Sequence, residues 1–193
     1  TQIIESNNAV DLLFFSNRGQ VYKSKTAEFG DGKASVLGDY VPSKLEFDEN
    51  ENAIYMVETA DYSGNMVFIF DNGRIARVPL SSYVTKTNRK KLIKAYCEKF
   101  TLHTVLYLKE DCDLLLKSSN GRMLIVNTAS IPAKPTKDNG GIAVMTQKKG
   151  HRVVSAEIAD PNLPFIARYR TRSIPSPGKL PAQDEVGTQL TLL

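Results

Sequence analysis

The sequence predicts an all-β fold, a propeller-like repeat of four-stranded blades. A hairpin-like string occurs three times, each copy is followed by two further strand-like segments, and helical periodicity is nearly absent. The copies read "DLLFFSNRGQVYKSKTAEF", "NMVFIFDNGRIARVPLSSY" and "DLLLKSSNGRMLIVNTASI". Placed in register on their turn glycines, Gly19, Gly73 and Gly121, they stand 54 and 48 residues apart.

Each copy opens on an apolar strand: Leu12 to Phe15, Met66 to Phe70, Leu114 to Leu116. A polar dipeptide and the glycine follow, then a second strand: "QVYKS", "RIARV" or "RMLIV". Asn72-Gly73 and Asn120-Gly121 predict tight hairpins, because Asn and Gly accept the left-handed backbone angles such turns demand. Arg18-Gly19 predicts a bulged or longer turn, since Arg tolerates those angles poorly. After the hairpins come "KASVLGDY" and "AIYMVETA", then "KLIKAYC" and "TVLYLKE", then "GGIAVMT" and "RVVSAEI". The units are therefore 11–64, 65–112 and 113–160, with twelve strands expected. The string "TNRKKLIKAYCEKF", with Thr87 as cap, also reads as a short helix, but the repeat register makes "KLIKAYC" a strand.

A lone four-stranded blade exposes two apolar faces and must stack on neighbours, so the units are expected around an axis. "TQIIES" (Thr1 to Ser6) and "FIARYRTR" (Phe165 to Arg172) are expected to form part of a fourth blade. The repeat domain is thus expected over residues 1–172. A Pro-rich tail over 173–193 either docks on a blade or stays mobile.

Composition narrows the function. At 193 residues the chain can bury a core without staples, and its 41% hydrophobic and 24% charged residues are ordinary for a soluble globular protein. Its apolar runs fall far short of the ~20 residues of a membrane helix, and no secretory pattern opens it. It lacks an initiating Met, which fits a piece of a longer protein. Cys97 and Cys112 make neither a disulfide framework nor a four-ligand zinc site and read as thiols in a reducing compartment. His103 and His151 have no metal partner at a recognised spacing, so neither metal nor cofactor is expected. No G-x-S-x-G elbow, phosphate-cradling loop or H-E-x-x-H stands in the chain, and no catalytic residue is assigned. "GDGK" and "NGG" read as turns, and Glu46/Asp48 as solvated loop. A binding module is favoured over an enzyme.

The net charge is +4, unevenly spread. Acids gather from Glu46 to Asp61, and bases in "KTNRKKLIK", "KKGHR" and "RYRTR". The recurring feature is base placement after the hairpin. The first unit offers Lys23, Lys25 and Lys33, and the second Arg74, Arg77, Lys86, Arg89, Lys90, Lys91 and Lys94. The third offers Arg122, Lys134, Lys137, Lys148, Lys149 and Arg152. If blades repeat in space, these cations form a stripe suited to the backbone of duplex DNA, held without sequence choice. Tyr40, Tyr83, Tyr96 and Tyr169 are expected to pack between blades rather than stack on single strands.

The string "DLLFFSNRGQVY", with the later "LLLKSSNGR" and "GGIAVM", resembles the C-terminal domain of type IIA bacterial topoisomerase A subunits, gyrase and topoisomerase IV, over about Asp11 to Ile158. The resemblance implies a β-pinwheel whose blades exchange strands and whose cationic rim binds and bends double-stranded DNA. It also implies partners, the ATPase B subunit plus the N-terminal catalytic core of the same polypeptide, and a cytoplasmic, nucleoid-associated location with no membrane. The cleaving tyrosine, metal carboxylates and ATPase would lie elsewhere. Gyrases carry a Q-R-R-G-G-K-G box after the first hairpin; the matching "AEFGDGKASV" (Ala27 to Val36) keeps only Gly32-Lys33. The chain therefore resembles a topoisomerase IV-type protein more than a gyrase. The competing reading is a β-propeller scaffold for proteins, with "EFDENE" and the tail as contacts.

Overall fold

The strands are near-continuous apolar runs, as expected of sheets covered on both faces. The computed structural model describes residues 5, 7, 9–33, 35, 37–85, 89–163 and 166–182. In chain order it contains β1 (Asp11–Ser16), β2 (Val21–Lys25), α1 (Val41–Lys44), β3 (Ala53–Thr59), β4 (Asn65–Phe70) and β5 (Arg74–Pro79). Then follow β6 (Lys91–Leu92), β7 (Leu102–Leu108), β8 (Asp113–Ser118), β9 (Met123–Asn127), β10 (Ile142–Ala143), β11 (Val153–Ile158) and α2 (Ile166–Tyr169).

The sheets run β3-β1-β2-β6, β10-β5-β4-β7 and β11-β8-β9. Each unit supplies its own hairpin and one flanking strand, but the fourth position is filled by the next unit. Val21 pairs with Leu92 and Ile75 with Ile142, each two residues past a turn glycine. Met123, at the same register, exchanges two hydrogen bonds of 2.8 Å with Lys179. Residues of the segment expected as a tail thus hold the fourth position of the third blade.

Two strand expectations are corrected. "KASVLGDY" is no strand at its described residues: the corresponding segments of the later units pair with the blade before them, and among the described residues no blade edge stands before this one. "KLIKAYC" is a strand only at Lys91–Leu92, and Thr87 lies outside the described residues. The partial fourth blade is also corrected where it is visible. Ile166–Tyr169 is a helical turn that covers the third blade, while Thr1 to Ser6 (except Glu5) and Phe165 lie outside the described residues.

The turns are also built differently from the expectation. Gly19, Gly73 and Gly121 have φ of 61°, 81° and 77°, whereas Arg18, Asn72 and Asn120 are not left-handed. The loops are longer than two residues, and only their glycine takes the left-handed position, as in hairpins with a glycine bulge. The Asn72 and Asn120 side chains instead accept the backbone N–H of Arg74 and Arg122. Arg18 therefore fits its turn without strain.

Alternate residues of each strand feed two different cores. Leu13 and Phe15 of the first blade meet Met66, Phe68 and Phe70 of the second, with Phe15 lying 5.2 Å from the Tyr83 ring and edge-on to it. Val67, Ile69 and Ile75 on the other face of the second blade meet Leu114, Leu116 and Val126 of the third. Both end faces are covered as well. Phe29, Val41, Leu45 and Phe47 close over Leu12, Phe14 and Tyr22, and Tyr169 and Ile166 close over Leu115 and Ile125. Each large side chain so buried contributes about 1.5–3 kcal/mol. Tyr83, Tyr96 and Tyr169 are buried, but Tyr40 is 70% exposed and does not pack between blades.

The acidic run is partly internal. Glu51 is buried and accepts from the Ser16 and Tyr22 hydroxyls and the Asp48 N–H, which pins the 48–52 loop onto the first blade. Cys97 is buried and Cys112 half-buried, both free thiols. Among the described residues no helix is long and apolar enough to cross a membrane.

Candidate nucleic-acid interface

Hairpin geometry decides which cations face outward. The residue after the turn glycine lies beside the incoming strand of the next unit. Arg74 there donates from Nε to Gly140 O at 2.8 Å and from Nη2 to Gly141 O at 2.5 Å, and Arg122 donates to Gly178 O at 2.8 Å. The residue four past the glycine reaches the one-turn helix that follows the next hairpin. Lys23 Nζ donates to Tyr83 O at 3.5 Å, and Arg77 Nη1 to Thr128 O at 2.9 Å. Arg77 also pairs with Asp111 at 2.7 Å. The cations at true repeat positions therefore join units to one another.

Beside these joints the structure brings four expected cations together. Lys23, Lys25, Arg89 and Lys90 line a cleft of about 480 Å³ along β2 and the segment entering β6, with Ser24, Thr85, Asp11 and Glu28. Lys25, Arg89 and Lys90 are exposed and Lys23 is half-buried. Burial holds the Lys23 ammonium below its usual range, opposed by the Asp11 carboxylate. Its Nζ donates to Thr85 Oγ1 at 3.1 Å and lies 5.0 Å from the Tyr62 ring centre. Lys90 pairs with Glu28 at 3.4 Å, a solvated contact that water and salt readily replace. Four cations against two carboxylates leave an anion-attracting groove lined by hydroxyls. Within it the Ser24 hydroxyl donates to Glu28 Oε2 at 2.9 Å.

The other expected residues lie apart. Lys91 is tied to Asp48 at 2.7 Å and stands 5.4 Å from the Tyr22 ring centre. Lys137 lies 6.0 Å from the Tyr83 ring centre, and exposed Lys134 donates its N–H to Arg77 O at 2.9 Å. Lys33, Lys94, Lys148, Lys149 and Arg152 are exposed, Lys94 in a hollow with Lys99 and Arg152 in one with His103. Lys86 lies outside the described residues. Reasoning from the repeat units missed Arg170, Arg172 and Lys179, all exposed beside the third blade. The sequence signal for the two arginines was "RYRTR", which falls outside those units.

Strand-exchanged blades with a cationic outer edge define a β-pinwheel. The family model described as DNA gyrase C-terminal domain, beta-propeller, matches residues 11–34 and 113–160. The chain is 25% identical over 122 residues to the gyrase A protein of Mycoplasma pneumoniae, covering 63% of this chain and 14% of that protein. It is 24% identical over 166 residues to the gyrase A protein of Staphylococcus aureus, covering 84% of this chain and 18% of that protein. The crystal structure of the C-terminal domain of DNA topoisomerase IV superposes with a TM-score of 0.69 at 22% identity, covering 80% of this chain and 49% of that one. In sequence and in fold the chain is thus similar to the C-terminal domains of type IIA topoisomerase A subunits. It spans less than a fifth of the curated relatives' length and about half of the topoisomerase IV domain.

Proposed function

We propose that the chain is a non-catalytic module that holds and bends duplex DNA through its phosphate backbone. In this reading it presents a segment to the catalytic core of an ATP-dependent topoisomerase, alongside the ATPase subunit, in the bacterial cytoplasm. The observation that carries the reading is the groove of Lys23, Lys25, Arg89 and Lys90. Among the described residues no base-reading helix stands beside it, so it offers charge to phosphates without a means of choosing sequence. Lys33, Lys94, Lys134, Lys148, Lys149 and Arg152 are exposed too and add positive charge elsewhere on the surface.

A topoisomerase IV-like role, with weak wrapping, is favoured by the stretch after the first hairpin, where Glu28 and Asp31 stand and only Gly32-Lys33 of the gyrase box remains. The scaffold reading is weakened because two of its acids are engaged internally, Asp48 with Lys91 and Glu51 in the first blade. The test is a mobility-shift titration on random duplex DNA with the Lys25→Gln/Arg89→Gln/Lys90→Gln variant. Its affinity is expected to fall roughly tenfold or more at low salt. Unchanged affinity, or no shift by the parent chain, overturns the proposal.

A further inference from the structure

The outer edge of every blade is closed at the same level. Lys23 N–H donates to Lys90 O at 2.7 Å, Lys134 N–H to Arg77 O at 2.9 Å, and Thr171 N–H to Ile125 O at 3.0 Å. Lys23, Arg77 and Ile125 each stand four residues past their turn glycine. The first two closing segments carry exposed Arg89 and Lys90, and exposed Lys134. In the third blade the hairpin residue is the apolar Ile125, and the closing chain is the C-terminal segment, residues 166–182. That segment contains Arg168, Arg170, Arg172 and Lys179 and no acidic residue.

Tyr169 anchors the segment, being buried with Leu115 and Ile125. The Lys179 backbone fixes its far end on Met123, and the Arg168 guanidinium donates to Leu180 O at 3.4 Å. Arg170 pairs with Asp113 at 2.6 Å yet keeps 53% of its side chain exposed. The level is continuous from blade to blade: Lys23 bonds to Tyr83 of the second unit, Lys137 covers the Tyr83 ring, and Arg77 bonds to Thr128 of the third unit.

We infer that the phosphate track continues past the second blade onto this C-terminal segment. There Arg170, Arg172 and Lys179 serve the third blade as Arg89, Lys90 and Lys134 serve the first two. The inference rests on the proposed DNA-binding reading. It assigns the segment a binding role besides completing the sheet, and it predicts that only a duplex long enough to cross all three blades senses these residues.

The experiment compares fluorescence-anisotropy titrations of the parent chain, Arg172→Gln/Lys179→Gln, and Lys25→Gln/Arg89→Gln/Lys90→Gln on random duplexes of about 12 and about 40 base pairs, chosen on a rise of ~3.4 Å per pair. The C-terminal pair is expected to weaken the long duplex about five- to tenfold and to lower its salt slope by about two, with little change on the short one. The cleft variant is expected to weaken both. If the cleft variant weakens both and the C-terminal pair binds the long duplex like the parent, the inference is wrong and the DNA-binding reading survives. If the parent binds neither duplex, that reading fails and takes the inference with it. Matching thermal melts establish that each variant is folded, and adding Arg170→Gln to the C-terminal pair is expected to deepen the loss on the long duplex.

Discussion

Arg74 reaches across the edge of its sheet to Gly141, donating from Nη2 to that carbonyl at 2.5 Å, and so secures the strand the third unit lends to the second. Arg122 does the same to Gly178 for the third blade. In the second and third blades the position after the turn glycine therefore reads as a joint to the segment that completes the sheet. Arg74→Ala is expected to lower unfolding stability by ~1.5–3 kcal/mol, the worth of charged hydrogen bonds. Duplex affinity of the folded variant should stay within about twofold. Urea unfolding and a binding titration on the same sample check this, and lost affinity at full stability contradicts it.

Gly141 tests the same joint from the other side. Its φ is +64°, and a Cβ there would stand 2.0 Å from Ile75 O, a backbone atom that cannot swing away. Gly150 has φ of +81° with open space around it. Gly141→Ala is expected to cost several kcal/mol and Gly150→Ala only about 1 kcal/mol. Denaturant midpoints of the two variants should separate clearly, and equal midpoints contradict the close approach.

Asp48 and Lys91 make stability depend on acid. Hydrogen bonds from Lys91 and then Gln20 hold the Asp48 carboxyl below its usual range. A carboxyl lowered in the folded state stabilises above its unfolded value, about pH 4, and loses that contribution as pH falls through the folded value. Lys91 is raised, chiefly by its bond to Asp48, so its share is present at neutral pH and lost only in strong base. The stability gap between the parent and Asp48→Asn, followed by urea midpoints against pH, should be full at about pH 6 and shrink as pH falls below about 4. A gap that persists in acid contradicts the pairing.

The hairpins were legible because their signal is local, an apolar run, a turn glycine and a second run. The exchanged strands were not. Lys91–Leu92 and Ile142–Ala143 are two residues each, and what makes them strands is the free edge of another unit's β2 or β5. The same limit applied to the site. A basic residue after a turn looks alike whether it faces solvent, as Lys25 does, or grips a carbonyl, as Arg74 does. The sequence marked Arg89 and Lys90 by clustering, but that they share a cleft with Lys23 and Lys25 depends on strand exchange. The burial of Glu51 within an acidic run left no local trace, since its partners Ser16 and Tyr22 lie 35 and 29 residues away.

The claim on which the functional account turns is that exposed cations of the outer edge hold the DNA backbone. The most direct measurement is the affinity of the chain for a random duplex of about 40 base pairs across ~50 to 200 mM salt. With several phosphates neutralised, log affinity should fall linearly with log salt at a slope of about −4 or steeper, and random sequences should bind alike. A flat salt dependence, or no binding at the lowest salt, would contradict it.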